Sequence, residues 1–189
     1  TYPRTDSRYL PEDYVDTVRE TIGNYAKGKS NEAFSQLFID SSKWILDNDR
    51  VHPNKRIFNT SKVSDHFAII PTGKTPPPSL DADAKKIYEL VVRRFLGIFY
   101  PSAEYEVTRR ITRVGDSSFR TDGKILVKAG WLEVYGRKPG VASEAGELVA
   151  VEDGATAQTE SVEVKENETK PPARYNDSTL LSAMETAGK

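Results

Sequence analysis

One change of rhythm, at Pro101, constrains this chain more than any other feature. Between residues 80 and 99 the apolar side chains of Ala84, Ile87, Tyr88, Val91, Phe95 and Ile98 recur at the spacing of one helical face. Ser79 reads as the cap of that helix, Pro101 as its stop, and the stripe as core. Beyond Pro101 the stretches 103–114 (AEYEVTRRITRV), 124–128 (KILVK) and 131–135 (WLEVY) are short and rich in β-branched and aromatic residues. Gly115-Asp116, Asp122-Gly123 and Ala129-Gly130 separate them, which predicts antiparallel strands joined by hairpins. Helices followed by strands within one chain read as an α+β fold.

The flanking segments extend this pattern. Residues 11–26 predict an amphipathic helix, with Pro11 suited to its first turn, Glu12 and Asp13 favourable at its N-terminus, and Val15, Val18, Ile22 and Tyr25 on one stripe. Residues 31–47 predict a second helix through Phe34, Leu37, Phe38, Trp44 and Ile45, with Ser41-Ser42 as a possible break. From 48 to 79 periodicity is lost, and Pro76-Pro77-Pro78 reads as a stiff spacer or, less readily, as a proline-rich ligand. Residues 139–160 read as an exposed excursion and 161–165 as a last short strand. Asn176 or Asp177 then caps a helix through Leu180, Leu181 and Met184 that Gly188 would end.

The 189 residues include no cysteine, which removes disulfide scaffolds, thiolate metal sites and cysteine nucleophiles. No apolar run approaches the ~20 residues of a membrane span and no signal-peptide pattern opens the chain, so a cytoplasmic protein is expected. The formal charge of -1 argues against an anionic partner until it is divided. Residues 139–169 carry -7, whereas the first 138 carry +5. Metal-binding signals are thin. His52 and His66 lie 14 residues apart, and the pairs Asp47/Asp49 and Asp81/Asp83 sit at a helix end and in a helix first turn, where acidic residues have structural reasons to be. No glycine-rich phosphate loop is present.

Four stretches carry the chemistry. They are Thr1-Tyr2-Pro3-Arg4-Thr5-Asp6-Ser7-Arg8-Tyr9-Leu10-Pro11; Asp65-His66-Phe67-Ala68-Ile69-Ile70-Pro71-Thr72; Ser118-Phe119-Arg120-Thr121-Asp122-Gly123 with Gly130-Trp131; and the run from Pro171 to Glu185 (PPARYNDSTLLSAME). In this order they resemble the motifs of type IA DNA topoisomerases, particularly the topoisomerase III branch.

The resemblance implies that Tyr2 attacks a phosphodiester of single-stranded DNA and becomes joined to the 5′ phosphate. A phenol of pKa ~10 needs an activator but leaves well when the step reverses. Arg4 matches an arginine that stabilises charge on the scissile phosphate. His66 matches a histidine that helps hold the DNA backbone, and Asp6 supports the network around Arg4 or His66. Arg8 either contacts DNA or is a solvated charge. Arg109, Arg110 and Arg113 either line a DNA-facing surface or lie on an exposed strand edge.

By the same resemblance residues 1–100 belong to a helical domain that presents the tyrosine, 101–168 to a β-rich arch, and 169–189 to the start of the next helical region. Magnesium would be held by a Toprim domain that these residues do not match, so none of them is expected to be a metal ligand. The chain opens on Thr1 and reads as a fragment, catalytically silent alone, of a monomeric, nucleoid-associated enzyme. The whole would relax negatively supercoiled DNA or unlink interlocked DNA without ATP. The alternatives are a non-catalytic module that binds single-stranded DNA with the same arch and a helix-turn-helix regulator using residues 11–47, which lacks a basic recognition helix.

Overall fold

In the computed structural model, residues 5–29, 31, 34–139 and 151–187 are described. The chain divides into two units, Thr1–Val149 and Ala150–Lys189. Helices and one antiparallel two-stranded sheet make up the regular structure, in keeping with the α+β class.

The first unit begins with a 3-10 turn, Glu12–Tyr14, leading into α1, Val15–Ala26. The predicted stripe is the one that is buried: Val18, Ile22 and Tyr25 are fully enclosed, with Val15 half-buried beside them. α2, Gln36–Asp47, is shorter than predicted, because residues 31 and 34 form an isolated antiparallel bridge before it. Ser41 and Ser42 do not break it. Both are buried, and Ser42 Oγ donates to the Phe38 carbonyl one turn back at 2.7 Å, which satisfies the hydroxyl inside the helix.

α3, Ala82–Gly97, starts later than predicted. Asp81, not Ser79, caps it, its Oδ1 accepting from the backbone N–H groups of Asp83 and Ala84 at 3.1 and 2.9 Å. The core face is also rotated from the expected stripe. Val92, Phe95 and Leu96 are buried, whereas Ile87 and Ile98 are exposed. Phe34, Phe38, Ile45, Phe58 and Phe99 complete one core, and the Tyr25 and Tyr88 hydroxyls meet at 2.9 Å within it. Burial pushes both phenols up, that of Tyr25 furthest.

Arg93 joins α2 and α3 to the segment beyond Pro101. Its guanidinium lies over the Phe38 and Tyr135 rings, 5.3 and 5.8 Å from their centroids, and donates to the Val134 carbonyl at 2.8 Å.

After Pro101 the chain forms one hairpin, β1 (Glu104–Val114) with β2 (Ser117–Lys128). β2 takes in the Asp122-Gly123 pair expected to separate two strands. The stretch 131–135, expected as a strand, is instead part of a 3-10 helix, Gly130–Tyr135. Its apolar residues Leu132 and Val134 are buried from a helical turn, because a five-residue stretch whose one charged position is Glu133 fits either period.

Entry and exit of the hairpin clasp each other at its base. Trp131 N–H donates to the Pro101 carbonyl at 2.9 Å, and Lys128 pairs with Glu104 at 2.9 Å. Gly130 sits at φ 51°, and a Cβ there would stand 2.5 Å from the carbonyl oxygens of Pro101 and Ser102. Only glycine fits.

In the second unit, the strand expected over 161–165 is absent; residues 151–176 have no regular structure apart from a turn. Charged side chains alternate with Val162 and Val164, but no strand among the described residues pairs with them. α4, Asp177–Thr186, is capped as expected by Asn176, in a capping box with Thr179 in which each side chain accepts from the other's backbone N–H. It ends at Thr186; Gly188 lies outside the described residues, as do 140–150 of the predicted excursion. No helix among the described residues is long and apolar enough to cross a membrane.

Gly130→Ala should lower stability by roughly 3 kcal/mol, combining left-handed strain with a backbone clash. Gly136→Ala has a similar φ of 75° but open space around it, and should cost about 1 kcal/mol. Urea midpoints of the two variants decide this; equal losses would mean that the Pro101 contact is not a constraint.

Candidate functional site

The N-terminal strap is fixed mainly through its backbone. Leu10 N–H donates to the Ile57 carbonyl at 2.9 Å, Asn59 N–H to the Leu10 carbonyl at 2.8 Å, and Ala68 N–H to the Tyr9 carbonyl at 2.9 Å. Leu10 itself is buried. Hydroxyl groups add to this: Thr5 Oγ1 donates to the Phe67 carbonyl at 2.7 Å, Ser7 Oγ to the Lys62 carbonyl at 2.8 Å, and Ser64 Oγ to Asp6 Oδ2 at 2.7 Å. The Phe67 ring packs on Tyr14, centroids 4.6 Å apart. Residues 5–10 of the first motif and 67–68 of the second are therefore neighbours by direct bonds, although 57 residues of chain lie between Leu10 and Ala68.

Of the residues singled out from sequence, Tyr2 and Arg4 lie outside the described residues. Asp6 is exposed and bound to Ser64, two positions before His66. His66 is half-buried and immediately precedes Phe67, whose carbonyl receives the Thr5 hydroxyl. Arg8 is exposed, with its guanidinium donating to the Tyr9 hydroxyl at 3.1 Å and lying 5.2 Å from the ring centroid. The Lys62 ammonium lies at the same distance. Arg109, Arg110 and Arg113 are in β1, well apart in sequence from the strap, and are not all on one face of the hairpin: the register puts Arg109 and Arg113 together and Arg110 opposite, its Nε buried with no hydrogen-bond partner among the described residues.

Sequence reasoning missed a groove of about 700 Å³ into which three motifs open. The first contributes Arg8, Tyr9 and Leu10, the second Ala68, Ile69 and Ile70, and the third Trp131. α3 forms a wall with Leu90, Arg94 and Ile98, and Arg56 stands beside Ile57. Leu90 and Ile69 are 64% and 51% exposed, so the walls offer apolar surface to a ligand rather than to the core. Among the described residues no carboxylate lies within ion-pair reach of Arg8, Arg56 or Arg94, whereas Arg93 is occupied by Glu89 and Val134. The groove thus combines unneutralised guanidinium groups with apolar and aromatic surface. That is chemistry suited to a phosphodiester strand carrying stackable rings. The doublet Arg93-Arg94 at the C-terminal end of an amphipathic helix was the available sequence signal.

The acidic pairs offer no metal centre. Asp81 is spent on its cap and Asp49 on Arg19 at 3.4 Å, and the described residues bring no three His, Asp or Glu groups together.

Arg8, helped by Lys62, holds the Tyr9 phenol below the usual tyrosine value of ~10. In a spectrophotometric titration, the signal lost in Tyr9→Phe should have its midpoint below that value, and Arg8→Ala should move the Tyr9 midpoint upward. A midpoint indifferent to Arg8 would break the assigned pair.

The family model described as DNA topoisomerase matches residues 1–188. A DNA topoisomerase 3 of Bacillus cereus is 38% identical over 195 aligned positions, covering all of this chain and 26% of that protein. The DNA topoisomerase 3 of Bacillus subtilis strain 168 is 36% identical, covering 98% of this chain and 25% of its own length, and that of Bacillus licheniformis is 37% identical over the same shares. The chain spans about a quarter of the length of these relatives. With the family match running from the first motif to the last, the chain belongs to the DNA topoisomerase family.

Proposed function

We propose that this chain is the tyrosine-bearing part of a type IA topoisomerase of the topoisomerase III kind, acting on single-stranded DNA. The observation that carries this reading is the direct bonding of the first motif to the second beside a groove that the third also lines. The Tyr2 phenol oxygen attacks a backbone phosphorus, its proton goes to a base or to water, and the 3′ oxygen departs. The 5′ phosphate stays joined to Tyr2. Attack by the same 3′ hydroxyl reverses the step, so no ATP is consumed. Arg4, two residues along, carries a permanent charge suited to the phosphate, and His66 supports the strand from the second motif.

The groove binds the strand near the break. Arg8, Arg56 and Arg94 meet phosphates, and Trp131, 38% exposed and set edge-on to Tyr135, offers a face to a base. Magnesium is held by residues outside this chain. Strand passage would let the whole protein relax or unlink DNA.

In a protein of the relatives' full length carrying this chain, a labelled single strand should become covalently attached, and Tyr2→Phe should abolish the adduct while binding persists. An adduct that survives Tyr2→Phe overturns the mechanism. Binding without any adduct in the unsubstituted protein favours the non-catalytic single-strand binder. Arg56→Ala with Arg94→Ala should weaken binding of an oligothymidylate to the 189-residue chain about tenfold and lower its salt slope by about 1.4, at ~0.7 per phosphate contact. An unchanged slope would remove the groove from the strand's path.

A further inference from the structure

We infer that one face of the β1–β2 hairpin is a second docking surface for single-stranded DNA, apart from the groove; this rests on the DNA-acting reading above. In an antiparallel pair, directly opposed residues share a face and alternate residues along a strand share it too. The register sets Arg109 opposite Asp122, Ile111 opposite Arg120, Val107 opposite Lys124 and Arg113 opposite Ser118. Four cations and one carboxylate therefore lie on one face, a charge of +3. The other face carries Glu106 and Arg110 and is balanced. The whole-chain charge hides this asymmetry entirely.

The cations are placed rather than scattered. Arg109 Nε and Arg120 Nε both donate to Asp122, at 2.8 and 3.0 Å, and remain 62% and 61% exposed. Two guanidinium groups sharing one carboxylate leave net charge and several N–H donors turned outward. The Asp122 carboxyl, held below its ordinary range by Arg109, stays ionised at neutral pH and keeps the arrangement fixed. Lys124 stands over the Tyr105 ring, 3.7 Å from its centroid. Arg109 and Arg113 lie about 13 Å apart along the strand, about two phosphate spacings of a stretched single strand.

The surface between the charges selects the occupant. Val107 and Ile111 are 65% and 54% exposed on this face, and apolar surface among cations suits unpaired bases better than the sealed edge of a duplex. The base of the hairpin is anchored through Leu126 and Leu132, whereas the basic residues sit towards the strands' middle and tip, where no other element among the described residues covers them. On this inference Arg109 and Arg113 belong to the surface, and Arg110, on the opposite face, does not.

The test is fluorescence anisotropy of a labelled oligothymidylate on the 189-residue chain across a salt series. Arg113→Gln, Arg120→Gln and Lys124→Gln together should weaken binding at least tenfold and lower the slope of log affinity against log salt by about 2, at ~0.7 per lost phosphate contact. Lys27→Ala, Lys29→Ala and Lys43→Ala remove the same charge from positions elsewhere and should lower the slope by less than half as much. Arg113→Lys with Arg120→Lys should retain most of the binding; loss as large as in the glutamine variant would mean a folding effect and overturn the surface. An unchanged slope in the glutamine variant, with Arg56→Ala/Arg94→Ala still weakening binding, overturns the hairpin surface and leaves the groove intact. Preference for a duplex of equal length overturns the single-strand assignment, and a chain that binds no DNA overturns this inference together with the reading it rests on.

Discussion

The backbone bonds that tie residues 9–10 to 57–59 and 68 are the constraint on which the rest of the site depends. Residues 48–79 hold only a single short 3-10 turn, Thr60–Lys62, so helix packing does not fix their path. Their place is set instead by the parallel bridge between Leu10 and Phe58, by the burial of Leu10, Ile57 and Phe58, and by the Thr5, Ser7 and Ser64 hydroxyls. Main-chain donors and acceptors on both sides are satisfied by each other, so neither segment can shift without exposing unpaired polar groups beside the core. Two short motifs thereby become one structural object.

That object is joined to the remainder through α3. The helix buries Val92, Phe95 and Leu96 in the core it shares with α1 and α2 and turns Leu90, Arg94 and Ile98 towards the groove, so one element supplies both core and ligand-facing wall. Arg93 secures the arrangement with a geometry that lysine would not reproduce: a planar fork on one carbonyl, flanked by two rings. The third motif reaches the groove because Gly130 permits the chain to pass against Pro101 and Ser102, which leaves Trp131 at the rim.

Much of this was legible in the sequence, and the exceptions have physical reasons. α1 and its buried stripe followed from the 3.6-residue period, and the Asn176 cap from its side-chain chemistry. The start of α3 did not, because Ser79 and Asp81 are both competent caps and only the fold decides between them. Its inward face did not either: Ile87 and Val92 are equally apolar, and which one is buried depends on where α1 and α2 lie. The stretch 131–135 has too few residues for its period to separate strand from 3-10 turn. Site residues legible by motif, Asp6, Arg8 and His66, do fall in or beside one stitched region. Arg56 and Ser64 stayed hidden, since what marks them is the spatial company of residues distant in sequence, whereas Arg94 left only the weak signal of the Arg93-Arg94 doublet.

The clasp at the base of the hairpin has a mechanical consequence. Eleven residues of β1 extend roughly 36 Å from that base. A stalk of such length on a loose joint would swing independently of the helices. Here the joint includes backbone in contact with backbone at Pro101, Ser102 and Gly130, a few residues beyond the last turn of α3, beside the Lys128–Glu104 pair and the packing of Leu126 on Leu132. A pull at the tip would therefore be passed on through that joint towards α3.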